Sequence, residues 1–484
     1  MRLTAALLAL VATASSANAF FKMEFTNVLV TERSDPLFFP GTHSMHTHTI
    51  LGGSNFHPNA TYESLRGSEC TSARAREDKS SATPTMYFQW ANGSFTPVPY
   101  VGGSALIYYL FRDNPADKYP IQAFPPGFKM LTGNPFDRTY TLKGNMKDAI
   151  GWNCLGSPSP TRQEGSGLPI DRACSANLRG EIRFPSCWDG KNLYKADGSH
   201  VAYSEGESGP CPGTHPRRLV TLFYEINFYV QAFEQYRSQA KNPSQPFVLA
   251  NGDPTGFGWH GEFMNGWDVP LLQKAIETCL SPTSGGLDEC KVLDLYPTTH
   301  SCKRTTIWNE WVTDKTFPKL PGNNPLTTTA AQAKKKDVMD QGPALLTTKP
   351  TTYEGLVPPV GAKVLPGSPT FVTSAKGYRY QGCYADNVSS KRTLSKGLAN
   401  DGKTVAGCLN AGKAGGYAYV GLEHHGECWA SNTAPKTKKL DDGECGLVCD
   451  GLASNYCGGS NALAVYKLTS TKAKRHLNSP TFEH

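Results

Sequence analysis

The chain has 484 residues, with 48 Lys and Arg against 41 Asp and Glu, giving a formal charge of +7. That modest excess is dispersed, with no basic block beyond Lys334-Lys335-Lys336, and it argues against a nucleic-acid partner. Beyond the first residues no stretch approaches the roughly 20 apolar residues of a membrane helix, so no membrane span is expected.

The first element is a leader. Arg2 supplies a positive start, Leu3 to Thr13 a short apolar run, and Ala17-Asn18-Ala19 a small-x-small cleavage pattern. Residues 1–19 therefore read as a signal peptide, with the mature chain expected to begin at Phe20. The 14 cysteines agree with export to an oxidising compartment, where structural disulfides persist. They also sort by position: Cys70, Cys154, Cys174, Cys187, Cys211, Cys279, Cys290 and Cys302 precede residue 318, while Cys383, Cys408, Cys428, Cys445, Cys449 and Cys457 follow residue 377. Both sets are even, so each module is expected to close its own bridges. Asn59-Ala60-Thr61, Asn92-Gly93-Ser94 and Asn387-Val388-Ser389 are glycosylation acceptor patterns consistent with a secreted, extracellular or wall-associated chain.

Residues 20–317 are long enough for one large domain with a sizeable core. Their apolar runs, Met23 to Val30, Ser104 to Phe111 and Leu219 to Val230, are short and punctuated by Gly, Pro and Asn. In the last run Leu222, Tyr224, Ile226 and Phe228 alternate with Phe223, Glu225 and Asn227, a period near 2. A mainly β fold of sandwich or jelly-roll type with few helices is expected. One helix is predicted from Asp268 to Leu280, with Asp268 as N-cap, Pro270 in the first turn, and Leu271, Leu272, Ala275, Ile276 and Cys279 on one face.

Three stretches of this module carry chemistry-bearing residues. In GTHSMHTHTILGGSNF, His46 and His48 at spacing two point the same way from an extended chain and can present two imidazoles to one ion or substrate. GDPTGFGWHGEFMNGWD repeats the spacing in His260 and Glu262, with Trp259, Trp267 and Asp268 nearby, and CPGTHPRRL places His215 between a half-cystine and two arginines. Together these stretches resemble the DUF1996 family of secreted proteins, marked by His-x-His before Gly, Cys-Pro-x-x-His-Pro, and His-x-acid-Phe-x-Asn-Gly-Trp-Asp. The resemblance covers nearly all of residues 20–317 and brings no established chemistry with it. Many bacterial members have Asp after the His-x-His; Thr49 stands there in this chain, which excludes an acid at that position.

Three readings of these residues stay open. His46, His48, His260 and His215 with Glu262 or Asp268 can share acid and base work in a groove that cleaves polysaccharide, Trp259 and Trp267 offering stacking faces to the sugar. Hydrolysis would use two carboxyls, from Glu262 with Asp268 or Asp253; a lyase would need a base and a partner for the uronate charge. Alternatively His46, His48 and His260 hold a divalent metal, since two imidazoles at spacing two plus a distant third match zinc or copper ligation. The plainest reading is that these motifs only fold the protein, with Asp268 capping its helix.

From 318 to 376 aromatic and Cys content falls and Thr, Pro, Gly and Ala rise, as in TTKPTTYEG and VPPVGAKVLPGSP, so an extended, O-glycosylated linker is expected. Residues 377–468 form a second, small module that depends on its bridges. Its segments YQGCYADN, TVAGCLNAGKAGGYAYVGLEHHGECWAS and GECGLVCDGLASNYCGGSNALAVYKL resemble the WSC domain over its whole length. Members usually carry eight cysteines; Gly412 and Ala430 stand where two would be, a paired absence that fits the loss of one bridge.

The resemblance implies a small disulfide-rich α+β fold that binds carbohydrate at the fungal cell surface. Tyr384, Tyr417, Tyr419 and Trp429 offer flat faces for sugar rings, and Asp386, Asn387, Glu423 and Glu427 can accept bonds from hydroxyls. Residues 469–484 form a basic polar tail. A large module joined to a polymer-binding one resembles the build of carbohydrate-active secreted proteins, so the expected partner is a β-glucan, chitin or xylan type polysaccharide that the large module cleaves. The rival expectation is a wall protein that binds glycan without catalysis.

Overall fold

The structure is a computed structural model that describes residues 19–76, 80–156, 165, 167–279, 281, 284–334, 342–386 and 392–469. The expected signal peptide up to residue 18, Asn387 and the tail from 470 lie outside the described residues. The chain divides into two compact units, 1–352 and 353–484.

Ten strands build the frame of the first unit: β1 (Phe20–Phe25), β2 (Val30–Ser34), β3 (His43–Gly52), β4 (Ser80–Pro84), β5 (Tyr100–Leu110), β6 (Lys129–Thr132), β7 (Ile150–Cys154), β8 (Leu178–Arg183), β9 (Thr221–Phe228) and β10 (Gly261–Met264). They form two five-stranded antiparallel sheets, ordered β1-β5-β9-β8-β7 and β2-β3-β4-β10-β6. The sheets pack face to face as the alternation predicts. Leu222, Tyr224, Ile226 and Phe228 of β9 are wholly buried and meet Leu51, Met130 and Phe263 of the second sheet in one core. Ser81 and Tyr224 bond across the gap at 2.8 Å, and a Cβ on Gly261 would lie 2.6 Å from Ile182, so glycine permits the close approach. The predicted helix is α1 (Val269–Thr278), which Asp268 caps by accepting the Leu271 amide at 3.0 Å.

All 14 cysteines pair, and each module closes its own bridges: Cys70–Cys302, Cys154–Cys174, Cys187–Cys211 and Cys279–Cys290 in the first, Cys383–Cys445, Cys408–Cys428 and Cys449–Cys457 in the second. Among the described residues no helix is long and apolar enough to cross a membrane.

The stretch expected to be an extended linker does not behave as one. Leu320, Pro321 and Gly322 are buried on the first unit. Asn324 donates to the Met45 carbonyl, Arg138 reaches Thr327, and the Leu346 amide bonds the Ile307 carbonyl. From 353 onward the chain joins the second unit, where Val357 and Phe371 pack on its core. Scattered apolar residues in a Thr- and Pro-rich composition are enough to lay the segment down on existing surfaces.

The second unit is a twisted antiparallel sheet whose central strands are β11 (Tyr378–Ala385), β12 (Tyr419–Glu423), β13 (Glu427–Ser431) and β14 (Ala462–Leu468). Helix α2 (Val405–Ala414) packs on it through Val405, Cys408 and Leu409, and Cys408–Cys428 ties that helix to β13. Gly412 and Ala430 are both buried, and a Cβ at 412 would meet Val420 at 2.2 Å, so that space is already filled by the sheet.

Candidate functional site

Strand register brings the two spacing-two motifs together. On β3, His48 lies opposite Pro84 and Ile50 opposite Ala82; across the same strand β4, Ala82 lies opposite Glu262 of β10. Residues opposite one another share a face, so His46, His48, Ala82, Pro84, His260 and Glu262 all point away from the sandwich core. The short side chains of β4 leave room for the long ones of β3 and β10 to meet above it. His260 sits just before β10, packed so tightly on Gly133 that a Cβ there would lie 2.8 Å from its Cα.

The His46 and His260 Nε2 atoms are 3.2 Å apart, and His48 Nε2 is 3.2 Å from Glu262 Oε1. Asp35, just past the end of β2, completes the group. Its Oδ1 accepts the amides of Leu37 and Phe38 at 2.9 and 2.8 Å, while Oδ2 is left on the Glu262 side. One ligating atom each from His46, His48 and His260, and likewise from Asp35, His48 and Glu262, fall within 4.8 Å of one another.

All five side chains are buried; His46, at 5% exposure, is the least so. A cavity of about 40 Å³ reaches His46 and Asp35 between Phe38, Phe39, Phe136 and Asn251. The cluster therefore converges as the motifs predict, but under a roof of loops and not in an open groove. The His48 ring nitrogens, both carboxyl oxygens of Glu262 and Asp35 Oδ2 lack a well-aligned hydrogen bond and face one another and the Ser34 backbone. Buried polar atoms left so cost about 1–3 kcal/mol each, which packing alone does not explain.

Burial, with the neighbouring His48 and His260, holds the His46 imidazole well below its ordinary range, and burial does the same to His48. His260 is pushed down to about 4 by burial. Burial and the adjacent Asp35 carboxyl raise Glu262 well above the carboxylate range, and burial lifts Asp35 to about 6. Three imidazoles held neutral by burial, beside two close carboxyls, form a set of nitrogen and oxygen donors that suits a cation.

Several expected site residues lie elsewhere. Trp259 and Trp267 are wholly buried, Trp259 against Trp152 and Phe228, Trp267 donating to the Tyr109 hydroxyl at 3.0 Å, so neither can stack on a sugar. Asp268 is the helix cap and faces Arg66 at 3.7 Å, outside the cluster. Asp253 accepts the Thr255 and Gly258 amides. The His215 ring bonds the Ser199 carbonyl and Thr214, on a separate loop. Asn59 and Asn92 are exposed.

In the second unit Tyr384, Tyr419 and Trp429 are half-buried together around Leu394, Leu463 and Val465. Arg392, absent from the expected set, stacks 3.6 Å over Trp429 and donates to Asp386 at 3.1 Å and Glu423 at 2.7 Å. Both carboxylates are buried and turned to this cation, because neither tolerates burial unpaired, so they do not face outward as the expected acceptors for sugar hydroxyls. Glu427 remains exposed, and Tyr417 packs on the other side of the sheet's core.

Residues 35–267 match the family model of the domain of unknown function DUF1996, and residues 380–459 match the WSC domain. The chain is 32% identical over 91 residues to a WSC domain-containing protein of Arthroderma benhamiae, 29% over 101 residues to Protein SLG1 of Saccharomyces cerevisiae, and 32% over 104 residues to Xylosyltransferase oxt of Drosophila melanogaster. These matches cover 19%, 21% and 21% of this chain and 12%, 26% and 12% of those proteins. The chain thus spans less than half the length of the curated relatives it matches. It carries a DUF1996 domain in its first unit and a WSC domain in its second.

Proposed function

We propose that this protein is a secreted, wall-associated carbohydrate-active protein. Its WSC domain and seven disulfides point to the cell surface. In this reading the second unit holds the chain on a β-glucan, chitin or xylan type polymer through Tyr384, Tyr419 and Trp429. The first unit carries the chemistry at His46, His48, His260, Glu262 and Asp35, cleaving a wall or plant polysaccharide. The observation that supports it is the convergence of these five side chains from β3 and from the ends of β2 and β10, with buried polar atoms that face chiefly one another. A cleft of about 620 Å³ beside the cluster offers room for a glycan, lined by Tyr140, Tyr203, Phe257, Asn134 and Asp137. It shares the 133–138 loop with the cluster, whose Pro135 and Phe136 line the smaller cavity.

A second reading, a glycan-binding wall protein without catalysis, is favoured by the burial of the cluster and the width of the cavity over His46. Product release separates the two. Purified protein is incubated with β-1,3-glucan, chitin, xylan and uronic-acid polymers beside a His46→Ala/His260→Ala variant. New reducing ends or an unsaturated-sugar absorbance, lost in the variant, support cleavage. Binding without release on every polymer supports the second reading.

A further inference from the structure

We propose that His46, His48 and His260 bind one divalent transition-metal ion of the zinc class, and that Asp35 positions Glu262 against His48 beside it. The inference rests on the cluster being the working centre of the first unit, and not on which polymer is its target.

Distance is the first argument. Ligand atoms about 2.05 Å from a tetrahedral zinc lie about 3.3 Å apart, whereas octahedral neighbours lie about 2.9 Å apart. The His46–His260 and His48–Glu262 separations are both 3.2 Å. One nitrogen each of His46, His48 and His260 lies within 4.8 Å of the others, and the His46–His260 pair already stands at the spacing of tetrahedral ligands; Glu262 joins His48 and Asp35 in an adjoining group.

Orientation is the second. His260 Nδ1 donates to the Gly258 carbonyl at 2.8 Å, which fixes the tautomer and leaves the Nε2 lone pair aimed at His46. Two imidazole nitrogens facing each other this closely are satisfied by one shared proton or one shared cation. His48 and Glu262 add buried polar atoms without an aligned partner. A cation among the three imidazoles takes one ring nitrogen from each and draws the negative Glu262 side of His48 toward it.

Charge is the third. Two carboxyls side by side repel when ionised; of the nearby guanidiniums, Arg33 donates to the Ser44 carbonyl and Glu310, and Arg138 to Thr327, Pro135 and Asn251. A dication balances both negative charges, and imidazole with carboxylate is a ligand set for zinc and its transition-metal neighbours, not for calcium or magnesium. Asp35 acts through Glu262. Its Oδ1 is pinned by two amides, so its other oxygen is held at Glu262 and sets where that carboxyl turns.

The test uses the untagged full chain. Metal content of the purified protein is measured, and chelator-stripped protein is titrated with zinc, manganese and calcium chlorides by calorimetry and by thermal melting. Near one equivalent of transition metal is expected, with zinc rebinding one to one, raising the melting temperature by several degrees, and calcium having no effect. His46→Gln, at the least buried ligand, should lose the zinc-induced shift while keeping the wild-type circular dichroism. Asp35→Asn should still bind one zinc, about 10–100-fold more weakly, and Glu262→Gln should lose more. Wild-type protein that neither holds nor rebinds a transition metal overturns the site, whatever the variants do. Asp35→Asn binding zinc as tightly as the wild type overturns the positioning role. Zinc binding without sugar release overturns polysaccharide cleavage alone; sugar release by protein that neither holds nor rebinds a transition metal overturns this inference alone.

Discussion

Glu32 gives the sharpest test of how the first unit is held together. Its carboxylate is buried opposite His48 in the β2–β3 register and takes Arg304 at 2.6 and 3.1 Å, with Ser34, Thr306 and the Ile307 amide as further donors. Replacing Glu32 with Gln leaves a buried guanidinium without its counter-charge, a loss of about 3 kcal/mol or more. For a unit of about 330 residues the unfolding entropy is about 0.7 kcal/mol per degree, so the melting temperature should fall by about 4 °C. The loss carries a pH signature. Burial works to raise the Glu32 pKa, but Arg304, Ser34 and Ile307 together outweigh it, so the folded value lies below the ordinary 4.5. A depressed carboxylate stabilises above its unfolded pKa and loses that contribution as pH falls through the folded one. Wild type and Glu32→Gln, melted by calorimetry from pH 7 down to pH 3, should differ by the full amount above about pH 5 and converge toward the acid end. A melting temperature within 1 °C of wild type at pH 7, or a gap unchanged at pH 3, refutes the argument.

Gly133→Ala places a methyl 2.3 Å from the Trp259 carbonyl oxygen at a backbone φ of +85°. It should cost at least about 3 kcal/mol by calorimetry, and a near-wild-type melt would contradict the packing described for His260. Trp429→Ala should weaken retention on insoluble glucan or chitin at least about fivefold in a pull-down. Trp259→Ala should instead cost about 3–5 kcal/mol of stability and leave retention of the folded protein unchanged; the reverse pattern would restore Trp259 as a sugar platform. Cys383–Cys445 closes a separation of 62 residues and Cys449–Cys457 one of 8. Loop entropy makes the Ser pair at the first site about 1.8 kcal/mol more costly than at the second, measured by denaturant melts of the second unit. Equal losses would show that the entropy of the open chain does not govern what each bridge contributes.

How much of this was written in the sequence depends on range. The alternation in Leu222 to Phe228 announces a half-buried strand because a sheet's period is local, and Asp268 with Pro270 announces a helix start for the same reason. His-x-His and His-x-Glu each reveal two side chains on one face. That the two pairs meet over Ala82 and Pro84 is set by strand order, which no local pattern carries. Asp35 left no mark because its partner lies 227 positions away and an Asp-Pro pair reads as an ordinary turn. Trp259 and Trp267 misled because Gly-rich surroundings look like surface turns, whereas the space for the Trp259 indole is made by the distant Gly180, where a Cβ would lie 2.7 Å from the ring. Arg392 was missed because a carboxylate's partner is invisible until the fold brings it near.

The layer laid down by residues 318–334 and 342–352 also changes what counts as a domain here. The family match ends at 267, yet β1 precedes it, Cys302 follows it as the partner of Cys70, and Asn324 and Thr327 brace Met45 and Arg138 beside the cluster. Sequence likeness marks the part that relatives keep in common; the cooperative unit is wider. A recombinant fragment cut at 267 or 317 would expose the roof over His46, so residues 20–352 have to travel as one cassette in any truncation, fusion or domain exchange.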